Sequence, residues 1–316
     1  MLHRRTYNVA VLGATELIGR EIIKVLDERR FPIEELVALT SEEAAGERVE
    51  FGKRTVVARA VTAEAFDGVD IVLAAAGDET AIKWLPEAVE RGCVCIDTSD
   101  AYSADPAVPL VVPEVNPGAA LNEQGIIASP NCATVLLVMA LRPLHDAAEL
   151  RRVVVSTYHS VSGAGSKGMD ELAGQTVALL NQKPFDVKVH SARIAFNLIP
   201  HIGPFGADGS SGEELKIVEQ TRRIFELPDL AVAATAVRVP VFAGHGESVN
   251  AEFEREISAV QARALLTAAP GVEVVDAPSQ GRYPMPMDCA EKDAVFVGRI
   301  RRDLSVPHGL AMWVVA

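Results

Sequence analysis

The sequence predicts an α/β protein: a doubly wound parallel sheet, followed by an α+β domain with a mainly antiparallel sheet. Three observations predict it. A short apolar strand, Asn8 to Gly13, runs through a glycine turn into a helix with Leu17, Ile18, Ile22, Val25 and Leu26 at helical spacing. Strand–helix alternation then continues over roughly the first 130 residues, the pattern of parallel crossovers. After that the strands lengthen and the helices become fewer, the pattern of a sheet covered on one face.

In the first part, Leu36–Thr40 and Val69–Ala76 read as strands, and Glu79–Arg91 as a helix. Val94–Asp97, Pro109–Pro113 and Ile126–Ala128 follow as strands. A strand, glycine turn and helix at the start make this a Rossmann-type unit. In the second part the strands are Arg152–Ser160, Ala231–Val241, Ser248–Glu256 and Ala294–Asp303. Its helices are Lys167–Asn181, Gly212–Phe225 and Ala259–Ala268. The expected domains are 1–131, binding a dinucleotide, and 132–316, for substrate and dimerisation. Cofactor and substrate are expected to meet at the junction.

Composition narrows the partners. The chain has 316 residues, 49% of them hydrophobic, and a net charge of −13. No basic stripe rises above that acidity, so the expectation is a small-molecule substrate, with neither nucleic acid nor membrane as partner. The four cysteines (93, 95, 132 and 289) fit neither a disulfide framework nor zinc spacing, and no metal ligands are assigned. Cys93 and Cys95 flank Val94 in a strand and read as core. Met1 to Tyr7 lacks an apolar secretion signal, and no apolar run approaches a membrane span, so a cytoplasmic protein is expected.

Cys132 stands out. It follows the strand Ile126–Ala128 directly and opens an apolar helix in the run Ser129-Pro-Asn-Cys132-Ala-Thr134. A helix N-terminus favours negative charge, so an easily formed thiolate is expected there. Far along the chain, Arg238-Val-Pro-Val-Phe-Ala-Gly-His245 supplies a histidine to handle a proton. If Cys132 and His245 meet, they form an acyl-transfer site. Arg238 lies in an apolar strand, where an unpaired charge is costly, and so calls for an anionic partner. Taken singly, each residue has an ordinary explanation. A cysteine entering an apolar helix serves as core, and Glu213 with Lys216 reads as a solvated ion pair.

Taken in order, the motifs carry a resemblance. Gly13-Ala-Thr15, Val112-Pro-Glu-Val-Asn116, Ser129-Pro-Asn-Cys132, Ser156-Thr-Tyr-His-Ser-Val-Ser-Gly-Ala-Gly165, Arg238-Val-Pro-Val241 and Gly244-His-Gly-Glu-Ser248 resemble the aspartate-β-semialdehyde dehydrogenase family along nearly the whole chain. The resemblance implies reductive dephosphorylation of aspartyl phosphate through a Cys132 thioester, with His245 as acid and base. That reaction serves lysine, threonine and methionine biosynthesis. It implies substrate contacts from Asn131, His159, Glu213, Lys216 and Arg238. It implies NADP held by Gly13, Thr15, Glu16, Leu17, Ile18, Ser41, Gly77, Ser162, Gly163 and Gly165, in a homodimer or dimer of dimers.

The chain also departs from the family pattern. Glu16 replaces a glycine of the cofactor loop. Glu43 falls where many members carry an arginine for the 2′-phosphate, which opens the site to NAD. Ser103 replaces a phosphate-binding arginine, and His159 a glutamine. Members of the family continue beyond the position of Ala316 with a return helix on the cofactor domain. Two other readings therefore stay open: a catalytically impaired paralogue acting as a binding protein, and an acylating aldehyde dehydrogenase for another substrate.

Overall fold

A computed structural model describes residues 6–316. The chain divides into two compact units, one ending at Pro130 and one running from Asn131 to Ala316.

The first unit contains β1 (Tyr7–Leu12), α1 (Leu17–Glu28), β2 (Ile33–Thr40), β3 (Arg48–Phe51), β4 (Arg54–Val57), β5 (Arg59–Ala60), β6 (Ile71–Ala74), α2 (Asp78–Glu90), β7 (Val94–Asp97) and β8 (Ile126–Ala128). Six strands form one parallel sheet in the order β5-β2-β1-β6-β7-β8. Strand order reverses between β1 and β6, so a switch point opens at their C-terminal ends. Alternate residues of β1 feed two cores. Leu12 packs with Leu39, Leu85 and Cys95 on one face, and Val11 packs with Ala38 and Ile23 of α1 on the other. Cys93 and Cys95 are both buried in the first of these clusters.

Three expectations change here. Pro109–Pro113 is no strand; its two prolines lack the N–H a ladder needs, and only Leu110 makes an isolated bridge, to Ala128. The hairpin β3–β4 went unread, although Gly52-Lys53 is a two-residue turn between alternating residues. Leu17 and Ile18, expected on the packed stripe of α1, are exposed, and Gly19 and Ile23 form the buried side.

The second unit contains α3 (Cys132–Ala148), β9 (Leu150–His159), α4 (Gly165–Leu180), α5 (Gly212–Phe225), β10 (Ala231–Arg238), β11 (Gly246–Phe253), α6 (Ala259–Ala268), β12 (Val272–Val274), α7 (Pro286–Cys289), β13 (Val295–Asp303) and β14 (Gly309–Val315). Its sheet runs β10-β9-β11-β14-β13-β12. The four central strands pair antiparallel, but both edge pairs are parallel, so the sheet is mixed. The buried helix α3 packs on this sheet beside α5 and α6. Along β9, Val153, Val155, Thr157 and His159 face the buried side.

Residues 181–211 form no helix or strand, yet they are tied down. Gln175 on α4 accepts from the N–H groups of Ile194 and Ala195 and donates to Asp186 O. Glu171 accepts from the N–H groups of Lys188, Val189 and His190.

Gly13 and Gly19 show how tightly the first turn is built. Gly13 has φ +87°, and a Cβ on Gly19 would lie 2.0 Å from the Gly13 carbonyl oxygen. Gly19→Ala is therefore expected to lower stability by about 1–3 kcal/mol in urea unfolding. Gly118→Ala, with open space around it, is expected to cost less than about 0.5 kcal/mol.

Candidate active site

In the first unit, a cavity of about 630 Å³ opens at the switch point, lined by Gly13, Glu16, Ser41, Glu43, Thr62 and Lys83 among others. Thr15 sits beside it, its hydroxyl 2.6 Å from that of Thr40. Leu17 and Ile18 lie on the exposed first turn of α1, and Gly77 caps α2 at φ +77°. No side chain caps α1, so its first N–H groups are left for another partner. The cavity lies at the place where a Rossmann-type unit takes a dinucleotide, and Gly13, at φ +87°, packs its Cα side against the Ala75 backbone, where a Cβ would stand 2.8 Å away. The charges are less accommodating. Glu16, Glu42, Glu43, Glu64 and Glu79 line the cavity against one cation, Lys83. Hydrogen bonds from its own backbone and from the Ser41 hydroxyl hold the Glu43 carboxyl below its usual range, so it is ionised. Ser103, elsewhere in this unit, is buried.

In the second unit, Asn131 sets the site. Its side chain accepts from Ala133 N–H, capping α3, and donates to Glu213 Oε1 at 2.9 Å. Its own N–H donates to Gln220 Oε1 at 2.8 Å. Glu213 and Gln220 lie seven residues apart on one face of α5. Asn131 thereby ties the helix end that carries Cys132 to α5. It keeps one side-chain N–H for a ligand. Glu213 is buried and bonded to Asn131, which replaces the solvated-pair explanation; Lys216 follows one turn later, half-buried.

Cys132, His159 and His245 converge. One sulfur and one nitrogen from each ring lie within 4.8 Å of one another, and the ring centroids are 4.8 Å apart. The His245 backbone pairs with that of Ala316. Gly244, at φ +83°, leaves no room for a Cβ against Pro286. Ser160 approaches His245 Nδ1 twice, through its N–H at 3.2 Å and its hydroxyl at 3.0 Å. His159 Nε2 meets the Thr157 hydroxyl at 2.8 Å. Burial pushes His159 down to about 2 and His245 down to about 4, with Arg238 adding to both. Both rings are therefore neutral at pH 7, and the 3.5 Å approach of His159 Nδ1 to Glu213 is no ion pair.

The thiol corrects the expectation drawn from the helix end. Cys132 presents surface to solvent on one side, while protein surrounds the sulfur on the others. Burial, and after it the Glu213 carboxylate, push the thiol up to about 12. The Ala133 N–H pulls the other way and loses; it is already bonded to Asn131. The free protein holds a thiol here.

Arg238 ends β10 in register with His159 and is buried. Its guanidinium donates to Ser160 O at 2.7 Å, and burial lowers its pKa despite Glu213 and Cys132. Among the described residues no carboxylate reaches it within 4.0 Å, so a ligand anion fits there. A neighbouring cavity of about 430 Å³ includes Arg238, His190 and His201 in its wall. Gly163 lies against Arg238, where a Cβ would stand 2.8 Å from Nη1. Ser162 bonds the Ser160 hydroxyl, and Gly165 turns the chain into α4 at φ +71°.

Sequence reasoning missed Gln220, Thr157, Ser160 and Glu247. Gln220 was readable as the i+7 partner of Glu213, and Thr157 as the i−2 partner of His159 on one strand face. Glu247 is fully buried opposite Thr157, and neither carboxyl oxygen has a partner. Burial raises it well above the carboxylate range, so it is a neutral acid.

Iodoacetamide is expected to label Cys132 before the three buried cysteines, at a rate still rising above pH 9 because the thiol is pushed upward. Glu213→Gln removes a negative charge, lowers the thiol pKa and speeds labelling at fixed pH by roughly three- to tenfold. An unchanged or slower rate contradicts the role given to Glu213.

The chain is similar to known proteins along nearly its whole length. Residues 8–123 match the family described as semialdehyde dehydrogenase, NAD binding domain, and residues 141–316 the family described as semialdehyde dehydrogenase, dimerisation domain. Aspartate-semialdehyde dehydrogenase of Aquifex aeolicus is 47% identical over 314 residues, covering 98% of this chain and 92% of that protein. That of Bacillus subtilis is 43% identical, covering 99% and 92%. The crystal structure of aspartate semialdehyde dehydrogenase II from Vibrio cholerae superposes with a TM-score of 0.96 at 43% identity, covering 98% and 93%, and a second structure of it is complexed with ASA. On these matches and the geometry above, the chain belongs to the aspartate-semialdehyde dehydrogenase family.

Proposed function

We propose that this chain is an aspartate-semialdehyde dehydrogenase, reducing aspartyl phosphate to aspartate semialdehyde and phosphate. One observation carries the reading: an accessible thiol within 4.8 Å of a neutral imidazole, with a buried, anion-seeking arginine on the adjoining strand. The Cys132 thiol passes its proton to His245 as the sulfur attacks the acyl carbon, and phosphate leaves. When bound, a nicotinamide cofactor would supply the hydride for reduction of the thioester. His245 then handles the proton of the hemithioacetal as the aldehyde departs.

Arg238 holds the substrate α-carboxylate and Glu213 its ammonium. Lys216 and the remaining Asn131 N–H face phosphate, and His159 lines the substrate side. Pairing Glu213 with the ammonium offsets a charge that keeps Cys132 protonated, so substrate binding itself favours the thiolate. Gly13, Thr15, Glu16, Leu17, Ile18, Ser41, Gly77, Ser162, Gly163 and Gly165 are the residues assigned to the cofactor. The carboxylates around Ser41 give a 2′-phosphate no grip, so NAD serves at least nearly as well as NADP.

The protein acts as a homodimer. Val177 and Leu180 on α4, with Phe185, Val187, Phe196 and Leu198 in the tied-down segment, expose apolar surface that a second copy would cover. A cytoplasmic setting agrees with four unpaired cysteines.

Cys132→Ser is expected to lower turnover at least about a thousandfold with the fold intact. Arg238→Lys is expected to raise KM for the semialdehyde roughly ten- to a hundredfold. The kcat/KM values for NAD and NADP should agree within about tenfold; a strong NADP preference overturns the reading of Glu43. Sedimentation should find a dimer, and Leu180→Glu should weaken it.

A further inference from the structure

We propose that Cys132, His159 and His245 form a zinc-binding site, at which Zn²⁺ reversibly silences the enzyme. The site is built from donors that suit this ion: one sulfur and two imidazole nitrogens, a set that selects zinc over magnesium or calcium. Four-coordinate zinc at ordinary bond lengths places its ligand atoms about 3.4–3.7 Å apart. The three atoms here lie within 4.8 Å, so closure by about 1 Å, within reach of small side-chain rotations, completes three corners of a tetrahedron. Water takes the fourth.

The surroundings favour the arrangement. Neighbours already hold one nitrogen of each ring, Thr157 at His159 Nε2 and Ser160 at His245 Nδ1. The metal would then take the opposite nitrogen of His245 and Nδ1 of His159, which lies 3.5 Å from Glu213 Oε1, and an outer shell of this kind fixes ring orientation. In the free ring His245 Nδ1 accepts from the Ser160 N–H at 3.2 Å, so the ring proton sits on the opposite nitrogen; when zinc takes that nitrogen the proton moves to Nδ1, the Ser160 hydroxyl at 3.0 Å accepts it, and the backbone bond is given up. The carriers are also firm. His159 ends a central strand, His245 is pinned by backbone bonds to Ala316, and Cys132 opens a helix moored by Asn131. No spacing in the sequence shows the site, because the ligands come from positions 132, 159 and 245.

Binding balances simply. The Cys132 S–H loses its proton to solvent, a Zn–S bond forms, and zinc gives up water; one proton is released per ion and nothing is oxidised or reduced. The sulfur lone pair that would attack the acyl carbon is then engaged, as is His245. Only this inhibitory consequence rests on the function proposed above; binding itself does not.

The test uses the full chain, treated with EDTA and desalted, with Co²⁺ as the spectroscopic probe. One equivalent is expected to give sulfur-to-cobalt charge transfer in the near ultraviolet and the intense visible bands of four-coordinate cobalt. One equivalent of Zn²⁺ should displace it, and should shield Cys132 from iodoacetamide until EDTA is added. His159→Gln, with its thiol still alkylated and its circular dichroism unchanged, is expected to weaken binding more than the roughly 10–100-fold lost with an outer-shell partner. Cys132→Ser should abolish the charge-transfer band. A spectrum without that band, an unshielded thiol, or equal affinity in His159→Gln overturns the site. An active enzyme lacking the cobalt band contradicts the zinc site alone. A cobalt-binding protein that cannot turn over semialdehyde contradicts the proposed function and leaves the site standing.

Discussion

Asn131 is the constraint on which the site depends. Through three hydrogen bonds it caps α3, donates its backbone N–H to Gln220 and donates its side-chain amide to Glu213. Each is worth about 1 kcal/mol net, and the one to the carboxylate about 1.5–3 kcal/mol. Their larger effect is geometric. The residue that positions the Cys132 sulfur also positions the carboxylate that raises its pKa. Nucleophile and electrostatic brake are fastened to one side chain.

The rest of the site follows from burying polar groups with few partners. Two imidazoles lose their charge because protein replaces water around them. Arg238 stays charged while donating to a backbone carbonyl, Ser160 O, at 2.7 Å, so it is set for an anion. Glu213 is set for a cation, and a zwitterion answers both. The first domain poses the complementary problem: a tightly packed glycine turn at the mouth of a cavity surrounded by carboxylates that disfavour additional negative charge.

Much of this was legible in the sequence because it is local. The helix expected over Gly212–Phe225 matches residue for residue at both ends, and the capping box of Ser211 and Glu214 explains its sharp start. Cys132 at a helix start was legible from the strand before it and the apolar run after it. The state of its sulfur was not, since that depends first on burial in the folded protein and then on Glu213, 81 positions away in the chain and adjacent in space. The parallel edges of the second sheet were hidden for the same reason: β9 and β10 are separated by two helices and a long tied segment. Glu247 reads as an ordinary surface residue until its strand is placed between β9 and β14.

The central claim is that the acyl group passes through the Cys132 sulfur. The most direct measurement is a single turnover of semialdehyde with oxidised cofactor and no phosphate or arsenate, followed by peptide mapping under acid. The account predicts a burst of reduced cofactor equal to the sites present, and an aspartyl adduct on the peptide containing Cys132 that phosphate discharges. A burst that survives Cys132→Ser, or an adduct at any other residue, would contradict it.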